Sequence, residues 1–204
     1  MSGDITLELQ EGDVLPETYH FSRGESRNSI LAKAKTAMKN ELAAAFAGRD
    51  KDLPLATEKE LLTLASIIEK ETGLASERGK VASVFVNRLN LGMKLQTDPT
   101  VIYAVTNGQM NLGRPLYKKD LTADSPYNTY VYAGLPPAPI CSPGREAIRA
   151  AAHPEKTKYL YFVADGLSGG HRFARSLTEH NRNVTMYRRS KKTLKSNAEN
   201  GRLK

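Results

Sequence analysis

Two glutamates stand two positions apart, Glu69 and Glu71, at the end of the segment LLTLASIIEKE, residues 61–71. A carboxyl group can donate a proton to a leaving oxygen and later accept one, which is general acid–base catalysis. The group performs both steps best when its pKa lies near the working pH. Because burial among apolar groups raises the pKa of a carboxyl group, the surroundings of each glutamate decide whether it suits this chemistry.

The segment predicts an amphipathic helix over about residues 57–72, with Thr57 and Glu60 forming a capping box at its start. At 100° per residue, one face of this helix carries four apolar side chains, Leu61, Leu64, Ile67 and Ile68. Glu71 falls within that apolar face, whereas Glu69 falls on the polar side. Glu71 is therefore the candidate acid. Alternatively, the Glu71 side chain emerges into solvent or pairs with an arginine. These alternatives stay open because Glu71 lies in the last turn of the helix, where the faces of a helix are less well defined.

Other candidate site residues have structural alternatives. Asp98 is the obvious second carboxylate, but an Asp before a Pro at a helix start is also a typical N-cap. His171 follows a Gly-Gly turn and could contact a ligand or serve only the hairpin. Tyrosines and an asparagine of the middle section could line a sugar-binding groove or the core and edge of a small sheet; these are Tyr103, Tyr117, Tyr127, Asn128, Tyr130 and Tyr132.

No pattern predicts a metal or a cofactor. The remaining histidines are scattered without metal-ligand spacing, and neither a Walker loop nor a G-x-G-x-x-G motif is present. The single cysteine, Cys141, cannot form an intrachain disulfide, and we interpret it as structural rather than as a catalytic thiol.

Charge is concentrated at one end of the chain. The net charge is +8, and residues 188–204 hold seven basic residues and one acid, so the body is close to neutral. We interpret residues 189–204 as a basic, flexible tail rather than a nucleic-acid footprint, because no recognition motif accompanies it.

No apolar run reaches the roughly 20 residues needed to span a bilayer, and the start lacks the pattern of an export signal.

The other elements predict an α+β fold in which several helices pack against a small, mostly antiparallel sheet. Weak alternation over residues 5–21 and the run YNTYVYAGL, residues 127–135, suggest short strands. YLYFVAD and HRFA, around the glycines of GLSGG, predict a hairpin. Further helices are expected over about residues 29–47, 76–91, 99–105 and 142–152, and from Ser176 onward.

Long segments of the chain resemble one known family. These are LPETYHFSRG, LASIIEKETGLASERGKVASVFVNRLNLGMKLQTDPTVIYAVT, SPYNTYVYAGLPPAPICSPG, AAAHPEKTKYLYFVADG and GGHRFARSLTEHN, which together extend from about residue 15 to 187. They are similar to the YceG-like family, the endolytic murein transglycosylases known as MltG. The resemblance implies cleavage of the β-1,4 bond between N-acetylmuramic acid and N-acetylglucosamine in nascent glycan strands, leaving 1,6-anhydro-muramic ends.

The resemblance also implies that one glutamate of the EKET motif is catalytic. We assign this role to Glu71 because of its inward phase, with Glu69 as the fallback. We expect Gln96, Asp98, Tyr103, Asn128, Tyr130 and His171 to bind substrate. No cofactor and no metal are expected, because the C6 hydroxyl of the muramyl residue is itself the nucleophile and Glu71 serves as acid and then as base.

The family resemblance further implies a location and partners. Residues 1–22 would end a LysM-like or strand region, residues 23–188 would form the catalytic domain, and an N-terminal anchor absent from this chain would hold it at the periplasmic face of the bacterial inner membrane. The partners would be peptidoglycan glycan strands and cell-wall synthases such as penicillin-binding proteins, and not nucleic acid. The alternative function is a non-catalytic peptidoglycan-binding module that scaffolds those synthases.

Overall fold

The computed structural model describes residues 3–109 and 111–201, with side chains through residue 193. Within these residues the chain forms six α-helices and one β-hairpin. The helices are α1 (Arg27–Gly48), α2 (Glu58–Glu71), α3 (Arg78–Asn90), α4 (Asp98–Thr106), α5 (Arg145–Ala152) and α6 (Leu177–Gly201). The strands are β1 (Tyr161–Ala164) and β2 (His171–Ala174), and short 3₁₀ turns lie at Ala75–Glu77 and Asp120–Thr122.

Helix α2 is the central element and contacts α1, α3, α4 and α5. Its four predicted apolar residues, Leu61, Leu64, Ile67 and Ile68, are completely buried. The predicted capping box at its start is confirmed, since Thr57 Oγ1 accepts from the Glu60 N–H at 3.2 Å and Glu60 Oε2 accepts from the Thr57 N–H at 3.0 Å. Satisfying these otherwise unpaired donors fixes where the helix begins and hence the direction in which each later residue points.

The C-terminal end of α2 lies one residue before the end of the helix predicted over about residues 57–72. The helix ends at Glu71, and the backbone of Thr72 is already extended, with φ −145° and ψ 132°. The Thr72 hydroxyl then accepts from the Leu74 N–H at 3.1 Å. This side-chain hydrogen bond competes with helix continuation, and α2 ends before Thr72.

The predicted strands outside the hairpin are wrong. Residues 5–21 form loops and turns, in which Leu15 enters the core and its N–H donates to the carbonyl of Ala34 at 3.1 Å. Residues 127–135 form turns, because the buried Asn128 amide donates to the carbonyls of Leu121 and Ala123. A polar side chain that satisfies nearby backbone groups favours turns over a strand ladder. Helix α5 likewise begins at Arg145, three residues later than the predicted start at Ser142.

The predicted hairpin and the α+β class are confirmed. Strands β1 and β2 pair antiparallel, with Phe162 opposite Phe173 and Ala164 opposite His171. The hairpin packs on α3 and α6, and the Phe162 ring meets that of Phe85 edge-on at 5.8 Å. This packing places the first residue of β2, His171, beside the C-terminal end of α2.

Helix α6 continues through Gly201, across most of the segment predicted to be a tail, while residues 202–204 lie outside the described residues. The Ser176 hydroxyl accepts from the Glu179 N–H at 3.2 Å at the predicted helix start. In the part of the chain that the structure describes, no helix is both long enough and apolar enough to cross a membrane.

Candidate active site

Glu71, the last residue of α2, lies on the wall of a pocket of about 350 Å³. The other walls come from α3, residues 95–98, Tyr130, the hairpin and the start of α6. Small-molecule sites typically have volumes of roughly 300–1,000 Å³. Glu71 is partly buried, so the inward direction predicted from the helix period is confirmed. Its position at the end of a rigid helix holds the carboxyl group at a defined place in the pocket.

Burial raises the pKa of the Glu71 carboxyl group from its ordinary value of 4.5 to about 7. The nearby Asp98 carboxylate adds to this effect, because two negative charges repel each other. A hydrogen bond from the Thr97 hydroxyl to Glu71 Oε1 acts in the opposite direction, and so does the positive charge of the His171 ring when that ring is protonated. The result is a carboxyl group that exchanges its proton near neutral pH, as an acid–base catalyst requires.

The raised pKa of Glu71 predicts a pH-dependent stability difference between the wild type and Glu71→Gln. Because the folded-state pKa of about 7 exceeds the ordinary 4.5, ionisation opposes folding. This penalty is absent below about pH 4, grows as the pH rises from 4.5 to 7, and reaches up to about 3 kcal/mol. We expect urea unfolding to show Glu71→Gln gaining stability relative to wild type over that range. A difference that stays constant from pH 4 to pH 8 would contradict the burial of this carboxyl group.

Glu69, the fallback candidate, lies away from the pocket. Its Oε2 accepts from the backbone N–H of Gly144 at 3.2 Å, at the start of α5. It therefore supports the contact between α2 and α5, and the structure places only the second glutamate of the EKET motif on the pocket wall.

Gln96 and Asp98, in the segment that leads into α4, also line the pocket. Gln96 has a left-handed backbone, with φ 52°, and its N–H donates to the carbonyl of Thr129 at 3.2 Å. Asp98 is the first residue of α4, and the N-cap position belongs to Thr97. Asp98 Oδ1 instead accepts from the Tyr130 hydroxyl at 2.7 Å. The alternative interpretation of Asp98 as an N-cap is therefore wrong, and its carboxylate lines the pocket.

Tyr130 remains a proton donor in this arrangement. Burial raises the pKa of its phenol, and the hydrogen bond to Asp98 raises it further. The phenol consequently stays protonated at neutral pH and keeps the Asp98 carboxylate oriented.

The structure brings four of the six predicted substrate-binding residues to the pocket: Gln96, Asp98, Tyr130 and His171. The other two lie elsewhere. Tyr103 packs against Tyr127, with ring centroids 4.7 Å apart, and Asn128 is fully buried in its turn. In this structure Tyr103 and Asn128 support the segment that carries Tyr130, and direct contact of either with substrate stays a prediction.

His171 is held on the pocket wall by Glu77, which sequence reasoning did not identify. Glu77 Oε2 lies 2.7 Å from His171 Nδ1, and Glu77 Oε1 accepts from the His171 N–H at 2.9 Å. The imidazole ring also meets the Phe162 ring edge-on at 5.3 Å. The only sequence signal for Glu77 was a carboxylate just ahead of the helix that carries the pocket-lining Phe85.

Arg88 also lines the pocket, and the sequence analysis did not single it out. It is only 8% exposed, and its guanidinium donates to the carbonyls of Leu160, Lys94 and Leu95 at 2.7–3.0 Å. Burial lowers the pKa of this guanidinium, which still remains charged. An arginine within the apolar stripe of a predicted helix was the available signal, since a buried charge needs defined partners.

His180 of α6 completes this side of the pocket. Its ring stacks on Tyr161 at 5.2 Å, and burial together with the charge of Arg88 lowers its pKa. The imidazole is therefore neutral at pH 7 and can exchange hydrogen bonds with a polar ligand.

Other clefts are larger but differ in chemistry. One of about 580 Å³ lies between α1, α3 and α5, and one of about 670 Å³ is lined by residues 49–53, 83–90 and 154–158. Neither contains Glu71, the carboxyl group whose pKa burial raises. Among the side chains that the structure describes, no group of three histidine, cysteine, aspartate or glutamate residues could hold a metal ion.

Comparison with known families and proteins identifies one group. The profile of the YceG-like family matches residues 3–186. An endolytic murein transglycosylase of Bacillus subtilis is 42% identical over 181 residues, which cover 89% of this chain and 49% of that protein. An endolytic murein transglycosylase of Streptococcus pneumoniae is 36% identical over 185 residues, covering 89% of this chain and 33% of that protein.

A solved structure shows the same fold. The crystal structure of a YceG-like protein from Listeria monocytogenes superposes with a TM-score of 0.68 at 38% identity, covering 84% of this chain and 54% of that one. The chain thus spans about half of this structure and of the Bacillus relative, and a third of the pneumococcal one.

Proposed function

The chain belongs to the YceG-like family, and from this membership we propose that it cleaves peptidoglycan as an endolytic lytic transglycosylase. The bond cut would be the β-1,4 link from N-acetylmuramic acid to N-acetylglucosamine within nascent glycan strands, and the new end would be 1,6-anhydro-muramic acid. The observation that carries this proposal is the carboxyl group of Glu71, whose pKa burial raises to about 7 inside a pocket.

In the proposed reaction, protonated Glu71 first donates its proton to the glycosidic oxygen that leaves. The anomeric carbon acquires positive charge, and the newly ionised Glu71 and the Asp98 carboxylate lie in the same pocket to stabilise it. Glu71 then takes the proton from the C6 hydroxyl of the same muramyl residue, and that oxygen bonds to the anomeric carbon. The proton lost in the first step is regained in the second, so Glu71 ends as it began.

An intramolecular nucleophile explains why a single acid–base carboxyl group is sufficient in this proposal. The C6 oxygen is held near the anomeric carbon by the sugar ring itself, which gives it a high effective concentration. A hydrolase instead needs a second carboxylate to activate water or to attack the sugar. Asp98 is hydrogen-bonded to Tyr130, so we assign it to orientation and charge stabilisation.

The pocket residues take defined parts in this proposal. Gln96 and His171 would hydrogen-bond sugar hydroxyl or acetamido groups, and the Thr97 hydroxyl would keep the Glu71 carboxyl group turned into the pocket.

Residues 23–188 would form the catalytic domain after the end of a LysM-like region. We further propose cell-wall synthases as partners and the periplasmic face of the bacterial inner membrane as the location, in keeping with a peptidoglycan substrate.

One digest separates this function from its alternative, a peptidoglycan-binding module without catalysis. Isolated glycan strands are incubated with the protein, and the products are analysed by mass spectrometry. Transglycosylation yields shorter strands with 1,6-anhydro ends, whose mass is one water less than that of hydrolysis products. Strands that co-sediment with the protein but keep their original ends would support the binding module instead.

A further inference from the structure

The carboxylate of Glu77 holds His171 at two points. Its Oε1 accepts the backbone N–H of His171 at 2.9 Å, and its Oε2 contacts ring Nδ1 at 2.7 Å. Both side chains are only 14% exposed. The two contacts fix the first residue of β2 and the plane of its ring together, so the imidazole cannot turn without breaking a hydrogen bond.

This arrangement selects one tautomer of the neutral imidazole. An ionised carboxylate can only accept hydrogen bonds, so the proton between Glu77 and His171 belongs to Nδ1. The other ring nitrogen, Nε2, then carries a lone pair. His171 lines the pocket, and within the described part of the chain Nε2 has no hydrogen-bond partner. In the neutral ring, Nε2 is therefore a hydrogen-bond acceptor that is available to a ligand in the pocket, and Glu77 sets its direction.

Gly170 makes the double contact possible. A Cβ atom at this position would lie 2.7 Å from Glu77 Oε1, closer than such atoms approach. The glycine before His171 therefore lets the carboxylate reach the backbone N–H. Phe162 and Phe173 flank the ring at 5.3 and 6.4 Å and restrict its remaining motion.

We propose that Glu77 is a positioning residue, which fixes the tautomer of His171 so that Nε2 accepts a hydrogen bond from a hydroxyl group of the sugar bound beside Glu71. The proposal rests on the proposed function for the identity of the ligand. A sugar hydroxyl is the matching partner, because it can donate a hydrogen bond to a neutral acceptor. Asp98 is another acceptor of this pocket, and its Oδ1 already receives the Tyr130 hydroxyl.

The substitution Glu77→Gln tests the tautomer directly. A glutamine has one oxygen and one NH₂ group where the glutamate has two oxygens. The His171 N–H requires the oxygen, so the NH₂ group must face Nδ1 and donate to it. Nδ1 then becomes the acceptor, and the proton moves to Nε2. The variant keeps both hydrogen bonds, and we expect it to fold normally, while the group presented to the pocket changes from an acceptor to a donor.

Three measurements decide the proposal. The ¹⁵N spectrum of the neutral ring should show the Nδ1–H form in wild type and the Nε2–H form in Glu77→Gln. Uncleaved glycan strands added to Glu71→Gln should shift the Nε2 resonance of His171. Cleavage by Glu77→Gln should fall at least about tenfold at an unchanged melting temperature, consistent with loss of one oriented hydrogen bond. Glu146→Gln, which removes an equal charge from an exposed side chain, should remain fully active.

A double substitution separates positioning from a structural role. In a His171→Ala background, Glu77→Gln should cause no further loss of cleavage, because Glu77 acts through the imidazole. An Nε2–H ring in wild type, or an unmoved Nε2 resonance with glycan present, would overturn the proposal. If wild type releases no anhydro ends while the ring spectra and the glycan-induced shift are as expected, then the proposed reaction fails and the role of Glu77 in ligand binding stands.

Discussion

We expect replacement of Glu71 by glutamine to abolish glycan cleavage while the protein stays folded. Glutamine has nearly the same shape and can still accept the hydrogen bond of the Thr97 hydroxyl, but it carries no proton to give to the leaving oxygen. Loss of a general acid and base typically costs about 10²–10⁴-fold in rate. We expect no anhydro ends above background in a mass-spectrometric digest of isolated strands. Binding of those strands should persist, since the rest of the pocket is unchanged.

Glu69→Gln is the matched control for this substitution. It removes an identical carboxylate two residues away, whose Oε2 accepts from the Gly144 N–H and which lies outside the pocket. The glutamine oxygen can still accept that hydrogen bond, so near wild-type cleavage is expected. The opposite pattern, an active Glu71→Gln and an inactive Glu69→Gln, would transfer the acid to Glu69. Activity in both variants would exclude the EKET motif as the source of the acid.

Replacement of Arg88 by methionine should give the largest loss of stability among substitutions in the pocket walls. The guanidinium joins three segments, because it donates to the carbonyls of Leu160 before β1 and of Lys94 and Leu95 in the loop that leads to Gln96. Methionine fills part of the space but leaves these acceptors without donors. Hydrogen bonds to a charged group contribute roughly 1.5–3 kcal/mol each, so loss of all three should cost at least about 3 kcal/mol, which urea unfolding measures.

The same substitution should also reduce cleavage by those protein molecules that remain folded. The loop released from Arg88 carries Gln96 and Thr97, and the Thr97 hydroxyl is the hydrogen-bond donor to Glu71. Arg88→Lys should be intermediate, since one ammonium group cannot reach both the β1 side and the loop side of the guanidinium. Arg149→Met is the control, because Arg149 is 57% exposed and its ion pair with Glu146 contributes little. Equal stability loss in the two methionine variants would contradict the bridging role of Arg88.

Local features of the fold followed from the sequence. The start of α2 at its capping box, the inward direction of Glu71 and the hairpin over 161–174 were all predicted correctly. Each depends on interactions between residues a few positions apart, such as the helix period or a glycine turn. The strands predicted over residues 5–21 and 127–135 were wrong for a related reason. Alternating sequence shows that a strand is possible, but a strand also needs a partner, and here Leu15 enters the helical core and Asn128 satisfies nearby carbonyls instead.

The sequence by itself therefore determined the class of fold and which glutamate of the EKET motif faces inward, because helix periodicity is local. Only the tertiary structure decided what surrounds that glutamate. Thr97 lies 26 residues from Glu71 and His171 lies 94 residues from Glu77, and no local pattern records that these side chains meet. Their contacts arise when α2, α3, the loop before α4 and the hairpin pack together, and that packing removes water from the carboxyl group and raises its pKa.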